Sequence, residues 1–204
     1  LRLQVFSYRK GNDIVRSATQ DGFGMAFLGD MPTVNLSARF PIAIVGLGKR
    51  NFSSIVARDH SRLEELKGRK VGSSPGSSSH LVALEPGEMP GALESGSVAA
   101  FSAWEPTPSI ALARNTKNRA IYKGMSTDWV VMPRAWTTAQ PQVALTLTAA
   151  YIRAINWMRQ SRANTLAAAS WVLADGSAFT GEPSRLALDK VVDIAYKDLL
   201  NVPG

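Results

Sequence analysis

Ser77, Ser78 and Ser79 form a run of hydroxyls that ends at His80, within the stretch SSPGSSSH. Upstream, Lys70–Gly72 reads as the start of a strand, and downstream the apolar LVAL over residues 81–84 reads as a helix. A helix start offers unpaired N–H groups and the positive end of its dipole, and serine hydroxyls add donors. Such a pocket holds a compact oxyanion without a metal. The stretch lacks the lysine and the spacing of a phosphate P-loop, which argues against a nucleotide. Taken alone, the run also reads as a plain Ser/Gly turn.

Two further stretches carry candidate contacts. GFGMAFLGDMP (Gly22 to Pro32) and GSVAAFSAWEP (Gly96 to Pro106) match at Gly22/Gly96, Ala26/Ala100, Phe27/Phe101 and Pro32/Pro106. Each reads as a short strand followed by a helix opened by proline, which is tolerated in a first turn. In α/β units ligands bind at the carboxyl edges of strands. Gly29, Asp30 and Met31 would project from one such edge, and Trp104 and Glu105 from the other. If each phrase belongs to its own sheet, the two edges can face each other across a cleft. Chance recurrence of small residues and proline is the competing account of the match.

The surrounding elements alternate. LRLQVFSY reads as a strand ending in a loop, SYRKGND. FPIAIVGLG and SSIVAR read as a third and a fourth strand, the former closed by glycines. Ser61 is placed to cap a short helix with Glu64 at the capping-box position, and Gly68 ends it. GEMPGALESG reads as helical up to Gly96, and DWVVM as a later strand. From Pro141 the apolar residues Val143, Leu147, Ala150, Tyr151, Ala154 and Trp157 recur at helical spacing. Two more helices follow, in RANTLAAASWVLA and PSRLALDKVVDIAYKDLL. Strands alternating with helices, then a helical tail, define an α/β protein.

Composition narrows the function classes. The chain has 204 residues, 45% of them hydrophobic, enough for one large domain or two small lobes. Its apolar stretches reach about ten residues, too short to cross a bilayer. There is no cysteine, which removes disulfides, thiolate metal sites and a cysteine nucleophile. His60 and His80 are the only histidines and have no metal-binding spacing. No metal and no cofactor are expected. The net charge of +7 favours anionic partners, but the basic residues are scattered and lack the interleaved aromatics of a nucleic-acid surface. Nucleic acid is not an expected partner. Ser77–Ser79 beside His80 does not give a Ser–His–Asp triad its geometry, since neighbouring residues at a helix start do not face each other that way.

Together, LEELKGRKVGSSPGSSSH, PGEMPGALESGSVAAFSAWEP and GMAFLGDMP resemble the periplasmic solute-binding proteins of ABC importers for nitrate, sulfonates and taurine, a group that extends to thiamine-precursor binders. The resemblance covers Leu1 to about Trp157 well and the helical tail loosely. It implies a type II periplasmic-binding-protein fold of two lobes, each a small mixed sheet flanked by helices. Lobe 1 would hold residues 1–57 and 133–204, lobe 2 residues 58–132, with hinge strands near 55–58 and 128–132. It implies a non-enzymatic, monomeric, exported protein, periplasmic or on the cell surface, whose signal sequence lies outside this numbering. The expected partners are a small anionic organic ligand and a membrane permease.

Carried over by position, Ser77, Ser78, Ser79 and His80 would surround the oxyanion, and Gly29, Asp30 and Met31 would line the first lobe's edge. Trp104 would cover the organic part, Glu105 would stand beside it, and Tyr8 would reach in from the first strand end. An oxyanion site with one indole wall fits an alkyl or aryl sulfonate; nitrate, taurine and a thiamine-type pyrimidine are the alternatives, and a desulfinase-like enzyme is the second. Gly24 and Ala99 stand where the family commonly has an aspartate in each strand phrase. Family members are also longer, so helix and strand residues are expected to be absent near Tyr8–Ala18 and Val82–Glu85.

Overall fold

The computed structural model describes residues 3–8, 10–74 and 82–175. Helix α1 (Gly11–Asp21) leads to β1 (Ala26–Gly29), α2 (Asp30–Ser37) and the long β2 (Ile42–Ala57). A 3-10 turn over Leu63–Leu66 precedes β3 (Val71–Ser73) and β4 (Val82–Ala83). Then come α3 (Met89–Glu94), β5 (Ala100–Trp104), α4 (Thr107–Arg114) and a second long strand, β6 (Arg119–Pro133). Helices α5 (Arg134–Ala139), α6 (Pro141–Gln160) and α7 (Arg162–Asp175) follow.

The strands lie in the order β1-β6-β2-β5-β3-β4. β2 and β6 run antiparallel along their whole length, from Ile42↔Pro133 to Ala57↔Arg119. Other strands use only one end of this pair. β1 pairs with β6 from Ala26↔Val131 to Gly29↔Asp128. β5 pairs with β2 from Ser53↔Trp104 to Ala57↔Ala100, and β3 lies parallel beyond it. Each end of the ribbon therefore carries its own set of strands and helices.

Burial follows the same division. At one end Val15, Ala18, Ala26, Leu28, Leu36 and Val131 form a core of α1, α2 and the β1–β6 pair. At the other, Met89, Leu93, Val98, Phe101, Ala103 and Ala111 join Val56 under α3 and α4. Leu28, Leu36 and Phe101 are all but fully buried, each stabilising its end by about 1.5–3 kcal/mol. Trp157 and Trp171 stack with ring centres 5.4 Å apart, joining α6 to α7.

Several expected elements differ. The strand read over LRLQVFSY is not formed: residues 3–8 lie outside the sheet, with Val5 81% exposed. Alternation supplies a strand's faces but not a neighbouring strand to pair with. Helix α1 begins inside what read as a loop, taking Gly11–Asp13 and continuing to Asp21, because Ile14, Val15 and Ala18 pack toward Leu36 and Val131. FPIAIVGLG and SSIVAR are one strand, not two. Gly46 and Gly48 mark register shifts within β2 rather than its end, since β6 keeps pairing beyond them. DWVVM is only the last part of β6. The helix expected over LVAL is replaced by β4, whose Val82 and Ala83 pair with Gly72 and Ser73. Leu84 then packs on the core of that end, which fixes the segment as extended. Parallel neighbours ordinarily need a crossover of a dozen or more residues, and here only residues 74–81 lie between. The helix read from Ser61 is a single 3-10 turn, and Glu65 rather than Glu64 receives the Ser61 backbone N–H, at 2.9 Å. That bond holds the Glu65 carboxyl below its usual range. The helix read over PSRLALDKVVDIAYKDLL lies outside the described residues.

Candidate functional site

β1 runs parallel to β2, and β5 runs antiparallel to it. Their carboxyl ends therefore point toward each other along the β2–β6 ribbon. Gly29 ends β1 opposite Asp128, which pairs with Lys49; Trp104 ends β5 opposite Ser53. From Lys49 to Ser53 is about 13 Å of strand. The repeated phrase builds this opposition. Gly22 and Gly96 both take positive φ (73° and 75°), each leads into a strand, and each strand hands over to a helix at its carboxyl end. Ala26 and Ala100 are buried in both copies, whereas Phe101 is buried and Phe27 is half exposed against Tyr151.

At the β1 edge the Asp30 carboxylate is engaged by the protein itself. Oδ2 accepts the Thr127 backbone N–H at 3.0 Å, and Oδ1 accepts the Trp129 indole N–H at 2.8 Å. Asp30 thus fastens the start of α2 to β6 at the middle of the ribbon. Met31 follows it, 40% exposed. Thr33 donates to the Gly29 carbonyl at 2.8 Å and holds the turn. The Tyr8 hydroxyl donates to Ser17 Oγ at 2.7 Å, on the flank of α1 rather than at its start.

At the β5 edge Trp104 is half-buried at the strand end. The Glu105 backbone N–H donates to the Phe52 carbonyl at 3.2 Å, and its Oε2 accepts the Ser109 N–H at 3.3 Å. A carboxylate over a helix's first turn is favoured by the dipole. Glu105 therefore directs its charge into α4. β3 runs parallel beside β5, with Ser73 opposite Ser102, so the buried Ser74 leaves the sheet at the same edge as Trp104. Ser77, Ser78, Ser79 and His80 lie outside the described residues; Ser73 and Ser74 are the stem from which they continue.

Lys10 and Glu85 join the two edges. Lys10 precedes α1, whose Gly11 lies so close to Pro32 of α2 that a Cβ there would stand 2.5 Å from Pro32 Cγ. Glu85 follows β4, after Leu84 has donated its N–H to the Ser73 carbonyl at 2.9 Å. Lys10 Nζ donates to Glu85 Oε1 at 2.6 Å. Neither residue stands out in the sequence: each is a single charge in a short irregular stretch, and only the fold brings them together. On the ribbon, Lys123 Nζ sits 4.0 Å over the Phe52 ring.

The family model described as NMT1-like family matches residues 10–173. The chain belongs to the NMT1-like family. Comparison of this NMT1-like chain with curated proteins gave no match. Among solved structures it is similar to the periplasmic aliphatic sulphonate binding protein SsuA from Escherichia coli, at 20% identity and TM-score 0.70, over 94% of this chain and 71% of that one. The alkanesulfonate-binding protein SsuA from Xanthomonas axonopodis pv. citri, bound to MOPS, is similar at 16% identity and TM-score 0.67, over 96% and 72%. PhnD1 from Prochlorococcus marinus (MIT 9301), in complex with methylphosphonate, is similar at 12% identity and TM-score 0.57, over 78% and 73%. The NMT1-like chain thus has the two-lobed periplasmic-binding-protein fold.

A cavity of about 370 Å³ lies at the opposite, amino ends of β3 and β5, lined by Arg58, His60, Arg69 and Lys70 among others. Arg58 donates to the Glu94 carbonyl at 2.8 Å, and His60 Nδ1 lies 3.8 Å from Glu65. His60 is therefore placed away from the facing edges. Among the described residues no group of three or more His, Cys, Asp or Glu side chains could hold a metal, and no helix is long and apolar enough to cross a membrane.

Proposed function

We propose that this NMT1-like protein is the extracytoplasmic solute-binding component of an ABC importer and captures a small organic oxyanion, an alkyl or aryl sulfonate, by closure of its two lobes. The observation that carries the reading is the opposition of two strand ends across the β2–β6 ribbon, with Trp104 on one of them. An indole gives a broad apolar face for a hydrocarbon tail. Ser74 leads from that same edge into the serine run, whose hydroxyls and N–H groups are assigned to the oxyanion. Asp30 and Glu105 are assigned to hold the edges in place, since their carboxylates already accept internal donors.

We assign lobe 1 to the β1 end of the ribbon and lobe 2 to the β5 end, with the bending segments at residues 49–53 and 124–128. The segments that the resemblance implies, 55–58 and 128–132, overlap the same two strands, the first running one residue past the end of β2. Binding rather than catalysis is favoured because the chain has no cysteine and His60 stands at the far end of lobe 2. A permease would read the closed form. The protein would work outside the cytoplasm as a monomer.

The test is calorimetry of the purified protein against methanesulfonate, longer alkyl and aryl sulfonates, taurine, nitrate and methylphosphonate. Tightest binding of a tailed sulfonate supports the assignment. Preference for nitrate or methylphosphonate replaces the ligand, and absence of heat with every anion removes the function. Release of sulfite from any sulfonate would make the protein an enzyme.

A further inference from the structure

One ion pair reaches from the start of α1, beside the β1 edge, to the residue that follows β4 on the other side: Lys10 with Glu85. Lys10 sits at the β1 edge, fixed by the contact of Gly11 with Pro32. Glu85 sits at the carboxyl end of β4, fixed by the Leu84–Ser73 hydrogen bond and by its own N–H, which donates to Glu88 Oε2 at 3.0 Å. The Lys10 side chain is 20% exposed and that of Glu85 42%. Lys10 is the less exposed member, and Glu85 pairs it at 2.6 Å. The carboxylate is the more exposed member and hangs from a turn, so it is the one that can be replaced.

We propose that Lys10 is the anion-receiving cation of the cleft and that Glu85 occupies it until a ligand anion takes its place. The proposal rests on the binding function above and adds the residue that neutralises the ligand. A sulfonate or phosphonate presents the ammonium group with oxygens like those of the Glu85 carboxylate, so the exchange keeps the lysine paired throughout. In the empty protein the pair holds the edges together weakly, because a partly exposed ion pair contributes little. The exchange also sets a threshold: an anion must displace a resident carboxylate, which disfavours weakly charged solutes.

The experiment measures methanesulfonate affinity by calorimetry in the wild type, Glu85→Gln, Lys10→Met and the double variant. Glu85→Gln removes the competitor and is expected to tighten binding about twofold to fivefold. Lys10→Met is expected to weaken it about tenfold or more, the scale of a lost hydrogen bond to a charged group. In the double variant the gain from Glu85→Gln disappears. Thermal melts without ligand confirm folding; Lys10→Gln and Glu85→Ser replace any variant that does not fold. Unchanged or weaker binding in Glu85→Gln, or unchanged binding in Lys10→Met, overturns the exchange while leaving the wild-type binding function standing. A wild type that binds no anion in the panel overturns both.

Discussion

Asp30 and Trp104 occupy matching places in the two copies of one phrase, yet their chemistry diverges. The Asp30 carboxylate accepts two donors from β6, so its work is to tie a helix start to the ribbon. Asp30→Ala is expected to cost about 1 kcal/mol, the worth of an ordinary hydrogen bond and less than that of a bond to a buried charge, because the site is exposed. A denaturant midpoint measures the loss, and tryptophan emission shifts as the Trp129 indole N–H loses its partner. Unchanged stability and emission would show that the bonds do not persist in solution. Trp104 has a functional prediction instead. Trp104→Ala is expected to weaken a long-chain alkyl sulfonate about tenfold to a hundredfold, the worth of a buried large apolar side chain, and to spare methanesulfonate. Calorimetry with both ligands decides, and equal losses would contradict the indole's assignment to the tail. Residue type and spacing marked both positions in the sequence. Hydrogen-bond partners ninety-seven and more residues away could not be read there, nor could Lys10 and Glu85, which are seventy-five apart.

The elements were legible where a pattern is local. The strands ending at Gly29 and Trp104, each handing over to a helix, the helix before Gly96 and the two helices between Pro141 and Asp175 all follow from periodicity, proline and glycine. Long-range pairing was not legible. Gly46 and Gly48 look like punctuation, and only β6 shows that β2 passes through them. The irregularity is held from outside the sheet: the Tyr151 hydroxyl of α6 lies 2.8 Å from the Leu47 carbonyl and 3.0 Å from that of Gly48. Partial burial raises the Tyr151 pKa. A raised acid pKa keeps the folded state protonated while the unfolded chain ionises, so this contribution is present below pH ~10 and is lost as pH rises beyond it. Tyr151→Phe is expected to cost about 0.5–1.5 kcal/mol at neutral pH and to flatten the alkaline decline. Denaturant melts of both proteins at neutral and alkaline pH test this; parallel declines would remove Tyr151 from the account.

At the scale of the molecule, two lobes share one ribbon, so any change in their mutual angle passes through β2 and β6. The register shift between Leu47 and Lys49 interrupts regular pairing beside the middle of that ribbon. Gly48 allows the strands to meet there: a Cβ would stand 3.0 Å from the Asp128 carbonyl oxygen and 3.3 Å from its carbon, both backbone atoms of the partner strand. Gly48→Ala must therefore part β2 from β6 by a few tenths of an ångström. Overpacking of this kind typically costs about 1–3 kcal/mol. Its consequence for function follows from the geometry, because Asp128 also pairs with Gly29 and so sets the position of the β1 edge. The wild type is expected to contract on saturation with a sulfonate, read as a smaller radius of gyration in X-ray scattering. Gly48→Ala should melt earlier, bind more weakly and contract less. If the variant loses stability but keeps the full contraction and affinity, the bend lies elsewhere on the ribbon. If the wild type binds without contracting, ligand capture here does not operate through movement of the lobes.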